Sequence, residues 1–166
     1  LRNIEFKHSK GGEPQIADLN FKIYRGEKVC ISGRSGSGKS TLVDLLLGLY
    51  TPTLGEICAE PINLTNNKFT ILSQHFHIDN DSIRNLLTAN GTKHYSDENL
   101  FEMLDIVVLS KTIRALPGGL DYELLNDAQN LSGGQRQRLG LAMSLMDNFD
   151  VLILDEATSQ LDRTLE

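Results

Sequence analysis

The sequence has no tryptophan, 2 cysteines, 4 prolines and an aromatic content of only 6%. Cys30 and Cys58 show no CxxC spacing, which favours reduced thiols over a bridge or a metal site. Their apolar neighbours lead us to expect buried, reduced thiols. No apolar run approaches the roughly 20 residues that a membrane-spanning helix needs, and the start carries no signal-peptide pattern. If the protein works at a membrane, another segment must cross it. Positive charge is also in deficit: a net charge of -6 argues against broad attraction to nucleic acid or anionic lipid, so no nucleic-acid partner is expected. Repeats, low-complexity tracts and internal linkers are missing too. What is left, at 166 residues, 40% hydrophobic and 23% charged, is one ordinary globular domain. The chain opens on Leu1 rather than methionine and stops at Glu166 in a charged stretch, so it reads as a fragment.

Along the chain, Ile4-Glu5-Phe6 alternates, residues 9–14 break the pattern, and residues 19–23 alternate again, which predicts two strands around a turn. After Arg25-Gly26-Glu27, residues 28–32 predict a further strand, followed by a glycine-rich loop and a helix over 39–49. Short strands are expected at 55–59 and 69–72, and helices starting near Asp81-Ser82 and Ser96-Asp97, both N-cap types. Another helix runs from the Leu131-Ser132 region to about Met146. The unbroken apolar run 151–154 predicts a strand buried on both faces of a parallel sheet.

Gly33-Arg34-Ser35-Gly36-Ser37-Gly38-Lys39-Ser40-Thr41 satisfies GxxxxGK[ST], between a predicted strand and a predicted helix. Glycines let the backbone curl so that successive N–H groups point at phosphates, and the helix N-terminus adds its dipole. Lys39 is expected to reach the β and γ phosphates of ATP, and Ser40 to offer a hydroxyl oxygen to Mg2+. The run 151–154 ends in Asp155-Glu156, as a Walker B strand does. Two acids at a strand end are by themselves an ordinary solvated turn; beside a phosphate loop they become a magnesium ligand, Asp155, and a carboxylate, Glu156, that polarises the attacking water.

Leu131-Ser132-Gly133-Gly134-Gln135, followed by Arg136-Gln137-Arg138, resembles the signature of ABC ATPases. The resemblance covers nearly the whole chain. It implies an α/β fold: a phosphate-loop NTPase core with an N-terminal antiparallel β subdomain and an α-helical subdomain carrying the signature. Residues 1–75 and 148–166 would form the core and 76–147 the helical part. It also implies a head-to-tail dimer with a second such domain, in which Ser132, Gly134, Gln135 and their helix N-terminus meet the γ phosphate in trans. Gln74 resembles the Q-loop glutamine that meets magnesium and the attacking water. Ser159-Gln160-Leu161-Asp162 resembles the D-loop. Ser82-Ile83-Arg84-Asn85-Leu86 and Leu116-Pro117-Gly118-Gly119-Leu120-Asp121 look like exporter-type segments. The expected function is ATP hydrolysis at the cytoplasmic face of a membrane, powering transport through a transmembrane domain of the same or a partner chain. Two alternatives stay open at this point: a soluble ABC ATPase acting on nucleic acid or the ribosome, and an ATP-binding regulatory domain without turnover.

The chain departs from the family in three places. His8 stands where an aromatic residue usually stacks on adenine. Leu125-Asn126-Asp127 replaces the glycine-glutamate pair that precedes the signature in exporters. The switch histidine of the family belongs beyond Glu166. His75 and His77 alternate, but without further ligands they predict no transition-metal site.

Overall fold

The alternation at the N-terminus turns one face of β1 (Arg2–Phe6) inward, burying Ile4 and Phe6 while Arg2 and Asn3 face out. In the computed structural model, which describes residues 1–9, 11–58, 68–73, 75–89 and 91–155, β1 is the middle of a three-stranded antiparallel sheet. Its neighbours are β2 (Ile16–Leu19) and β3 (Leu54–Glu56). The β1–β3 ladder is irregular between Arg2 and Glu5, and a Cβ on Gly55, whose φ is +83°, would strike the Asn3 carbonyl. The helix α1 (Lys39–Leu46) packs Leu42 and Leu45 against Ile4, Phe6 and Ile16, giving the unit Leu1–Asn67 its own core.

Four expectations for this unit need correction. The second strand lies at Ile16–Leu19 rather than 19–23, because pairing Phe6 with Ile16 and Ile4 with Leu19 puts apolar residues opposite apolar residues. Phe21 still packs on the core, but outside a strand. Residues 28–32 form no strand among the described residues. Their alternating Val29 and Ile31 are 51% and 42% exposed, and no ladder partner holds them. Cys30 and Cys58 are accordingly free and exposed, not buried. The helix predicted to reach residue 49 ends at Leu46, since Gly48 adopts φ +74° and its N–H turns back to Leu45 O at 3.1 Å.

The unit Lys68–Glu166 is built on β4 (Phe69–Leu72) and β5 (Val151–Leu154), paired in parallel from Phe69↔Val151 to Leu72↔Leu154. The parallel pairing is as expected. The burial on both faces is not: Val151 and Leu154 are 38% and 48% exposed, as β4 is the one strand beside β5 among the described residues. The helices are α2 (Ile83–Leu87), α3 (Asp97–Ile106), α4 (Ser110–Ala115) and α5 (Gly133–Met146), with a 3-10 turn at Gly119–Asp121. Ser82 and Ser96 cap α2 and α3 as expected, and Ser132 caps α5, each accepting the backbone N–H three residues on. Each such cap contributes about 1 kcal/mol. Leu100, Leu104, Ile113, Leu139 and Ala142 lie at the centre of the helical core. Arg84 of α2 ties the start of α3 to the 3-10 turn, donating to Asp97 and to Asp121.

Candidate nucleotide site and its signature helix

Residues 33–38 curl into a tight turn in which Ser37 N–H donates to Arg34 O at 3.2 Å. Gly36 and Gly38 hold φ of +77° and +91°, which lets the chain double back. A Cβ on Gly33 would lie 2.6 Å from Ser37 Oγ, and one on Gly38 would lie 3.0 Å from Gln15 O. The loop therefore has room for backbone and little else, as a phosphate cradle requires. Lys39 folds its side chain over it, Nζ donating to Gly33 O at 2.8 Å and Arg34 O at 3.1 Å. These are bonds that an ammonium exchanges for phosphate oxygens. Ser40, in the first turn of α1, is exposed, whereas its neighbour Thr41 is buried. Arg34 and Ser35 lie exposed on the outer loop. The loop residues expected from the sequence are thus brought together, and a hydroxyl next to an ammonium suits a magnesium-bound triphosphate.

His8 sits edge-on to Phe6 and Tyr50, with ring centroids 5.0 and 5.6 Å apart, and Phe6 and Tyr50 are themselves 5.2 Å apart. Tyr50 is the member that the sequence reading missed. Its only local signal is an aromatic ring just past α1. Asp155 follows β5 directly, its N–H donating to Leu72 O at 2.9 Å, so the end of the strand pair presents this carboxylate. Gln74, Glu156 and the expected D-loop at 159–162 lie outside the described residues.

Ser132 starts α5 with a full capping box: its Oγ accepts from Gln135 N–H at 3.2 Å, and Gln135 Oε1 accepts from Ser132 N–H at 2.9 Å. Ser132 and Gly133 are exposed. A rigid, open helix start with small residues is a ready anion site once an anion is brought to it. Gln135 Oε1 is thereby engaged in the cap. Behind this start, a cleft of about 330 Å3 opens between β4, α2 and α5, with Phe76, Leu86, Leu87, Gly140 and Met143 on its walls. No phosphate-loop residue lines it, so it is not the nucleotide site.

The family model described as ABC transporter matches residues 16–159. The chain belongs to the ABC transporter family. An ATP-dependent lipid A-core flippase of Idiomarina loihiensis is 36% identical over 99% of this chain and 29% of its own length. That of Escherichia coli K12 is 36% identical over 100% of this chain and 30% of its own. Among solved structures, a bacterial Atm1-family ABC exporter with ATP bound superposes with a TM-score of 0.83 at 29% identity, over 99% of this chain and 30% of that one. This ABC domain therefore spans about 30% of the length of the relatives it matches. The family match implies a binder of ATP, and the relatives are by name a flippase and an exporter. The family implies a transmembrane domain as partner and the pairing of two ABC domains. No helix among the described residues is long and apolar enough to cross a membrane.

Proposed function

We propose that this domain hydrolyses ATP to ADP and phosphate in a head-to-tail pair, at the cytoplasmic face of a membrane, and so drives substrate through a transmembrane domain. One observation carries the reading: a phosphate loop closed over by its own lysine occurs in a chain whose signature helix begins with an exposed, capped Ser132. On binding ATP, Lys39 leaves the Gly33 and Arg34 carbonyls for the β and γ phosphates, and the N–H groups of 33–41 take up the remaining oxygens. His8 stacks on the adenine. Ser40 and Asp155 would hold Mg2+, with Gln74 as a further ligand, and the ion would supply positive charge against the phosphates. Glu156 accepts a proton from the attacking water while Gln74 orients it. The γ phosphate is closed over by Ser132, Gly134 and Gln135 of the second domain. Catalysis is then mostly positioning and charge neutralisation.

The cleft beside α5 is where we place the contact with the transmembrane domain. Apolar Phe76, Leu86, Leu87 and Met143 share its lining with charged Asp79, Lys93 and Asp147, and the curated relatives are more than three times as long as this chain. The division into a core of 1–75 and 148–166 and a signature subdomain of 76–147 follows the same reading.

The test is Glu156→Gln in the full-length protein. It should stop turnover yet retain ATP and hold the two domains together. Undiminished hydrolysis would show that Glu156 is not the base.

A further inference from the structure

We infer that Asp127 and Arg136 are positioning residues for hydrolysis: with Phe76 and Gly140 they form a clasp that makes the segment after Gln74, the loop before the signature and the first two turns of α5 move as one piece. The inference rests on the reading that the Ser132 end of α5 meets the γ phosphate.

Arg136 stands one turn into α5, its backbone N–H bonded to Ser132 O at 2.8 Å. Its Nη2 donates both to Phe76 O and to Asp127 Oδ2, and its guanidinium lies 5.0 Å from the Phe76 ring centroid. Asp127 Oδ1 in turn accepts from Ile78 N–H at 2.7 Å and lies 3.1 Å from His77 Nδ1. The Ile78 N–H, and then the Arg136 guanidinium, hold the Asp127 carboxyl below its usual range, so it stays ionised against its partners. One turn further along α5, Gly140 leaves the notch that the Phe76 ring fills: a Cβ there would lie 2.5 Å from Phe76 Cε2. Two segments, residues 76–78 and the loop at Asp127, are thus fastened to the same two turns of one helix.

The backbone of the loop says that the clasp is more than a stabilising contact. Asn126, Asp127 and Ala128 hold φ of +51°, +61° and +56°, a conformation that non-glycine residues avoid, so the loop is kept in place against its own preference. Arg136 Nε is also buried without an acceptor among the described residues, so the guanidinium's hold on the loop rests on Nη2. Where exporters carry glycine-glutamate before the signature, this chain has Leu125-Asn126-Asp127, and its carboxylate is turned inward on Arg136.

The consequence is mechanical. Phe76, His77 and Gly140 line the cleft, so whatever seats there presses on the clasp. Since Arg136 and Gly140 share a helix with Ser132, that displacement passes to the end of α5 proposed to meet ATP.

The experiment uses the full-length transporter in lipid vesicles, with kcat expressed per titrated ATP-binding site. Asp127→Ala should lower kcat roughly 2- to 30-fold while KM for ATP stays put. Asp127→Glu keeps both acceptor oxygens, one for Ile78 N–H and one for Arg136, and should recover most of it. Arg136→Met removes the nitrogen that serves both Phe76 O and Asp127 Oδ2 and should behave like Asp127→Ala. If Asp127→Ala fails to fold, the pair Asp127→Glu and Arg136→Met still decides, by their difference in kcat. An unchanged kcat per site in every variant that folds, or a loss of binding sites alone, overturns the clasp. Ser132→Arg is the separate control. If it leaves turnover intact, the reading of the signature helix has failed; if it abolishes turnover while the clasp variants do not change it, only the clasp has failed.

Discussion

Replacing Gly140 by alanine sets two effects of known size against each other. In a helix interior, glycine to alanine gains about 1 kcal/mol from backbone propensity. At Gly140 the added Cβ would stand 2.5 Å from Phe76 Cε2, 2.6 Å from Cζ and 3.1 Å from Cδ2. Relaxed carbon–carbon contacts are about 3.5–4.0 Å, so the ring must retreat by roughly 1 Å. It is not free to do so: the Arg136 guanidinium lies over one face, and the Phe76 carbonyl is held by the same group. Such overpacking costs about 1–3 kcal/mol. With a mid-range cost of about 2 kcal/mol, Gly140→Ala should destabilise by about 1 kcal/mol net and lower Tm by about 2–4 °C in a domain of this size. Denaturant and thermal unfolding of the domain measure it. In a Phe76→Leu background the clash is relieved and the same substitution should become stabilising, a coupling of about 1–3 kcal/mol in the double-mutant cycle. A gain of about 1 kcal/mol in the wild-type background would mean that Phe76 does not occupy the notch.

Val108 follows the last turn of α3 with φ +54° and is 58% exposed, so it loses little burial on truncation. Val108→Gly should therefore raise stability by about 0.5–1 kcal/mol in urea unfolding, and any loss would argue against the left-handed turn. Lys39→Ala removes charge-assisted bonds of about 1.5–3 kcal/mol, so ATP affinity read with a fluorescent analogue should fall roughly 10- to 100-fold. Unaltered affinity would take the triphosphate away from this loop. The Arg84 guanidinium, mainly through hydrogen bonds, holds the Asp97 and Asp121 carboxyls below their ordinary range. Depressed carboxyls contribute stability that is complete above their unfolded value and is lost as pH falls through the folded one. Unfolding free energy should thus drop below about pH 4, less steeply in Asp97→Asn and in high salt, because the pair is exposed. An identical acid slope in Asp97→Asn would remove Arg84 as the cause.

What was legible in the sequence is what a short stretch decides by itself. The caps at Ser82 and Ser96 are local exchanges over three residues, and each was found where the residue types placed it. The phosphate loop is equally local, a glycine pattern whose curl is set by its own φ angles and closed by its own lysine. The parallel partner of β5 was anticipated from its apolar run, and the run does pair with β4. What failed depends on something outside the segment. Alternation at Val29 and Ile31 states only which side chains would share a face if a ladder formed, and no described residue supplies that ladder. The expected burial of Cys30 rested on the same missing neighbour. The second strand slipped toward the N-terminus because its register answers to Phe6 and Ile4, not to its own pattern.

The clasp was illegible for the same reason. Phe76 and Arg136 are 60 residues apart, and neither carries a local pattern that points to the other. Gly140 alone gave a sign, because a glycine inside an otherwise continuous helix costs about 1 kcal/mol and wants a packing reason. Asp127 had been conspicuous for the opposite cause, as a residue out of place in a familiar motif. In the fold these two irregularities answer each other: the glycine admits the Phe76 ring, and the aspartate anchors the arginine that covers it. A departure from a family pattern that coincides with a break in helix propensity, and that meets it in space, is a sharper guide to where this domain differs from its relatives than either irregularity alone.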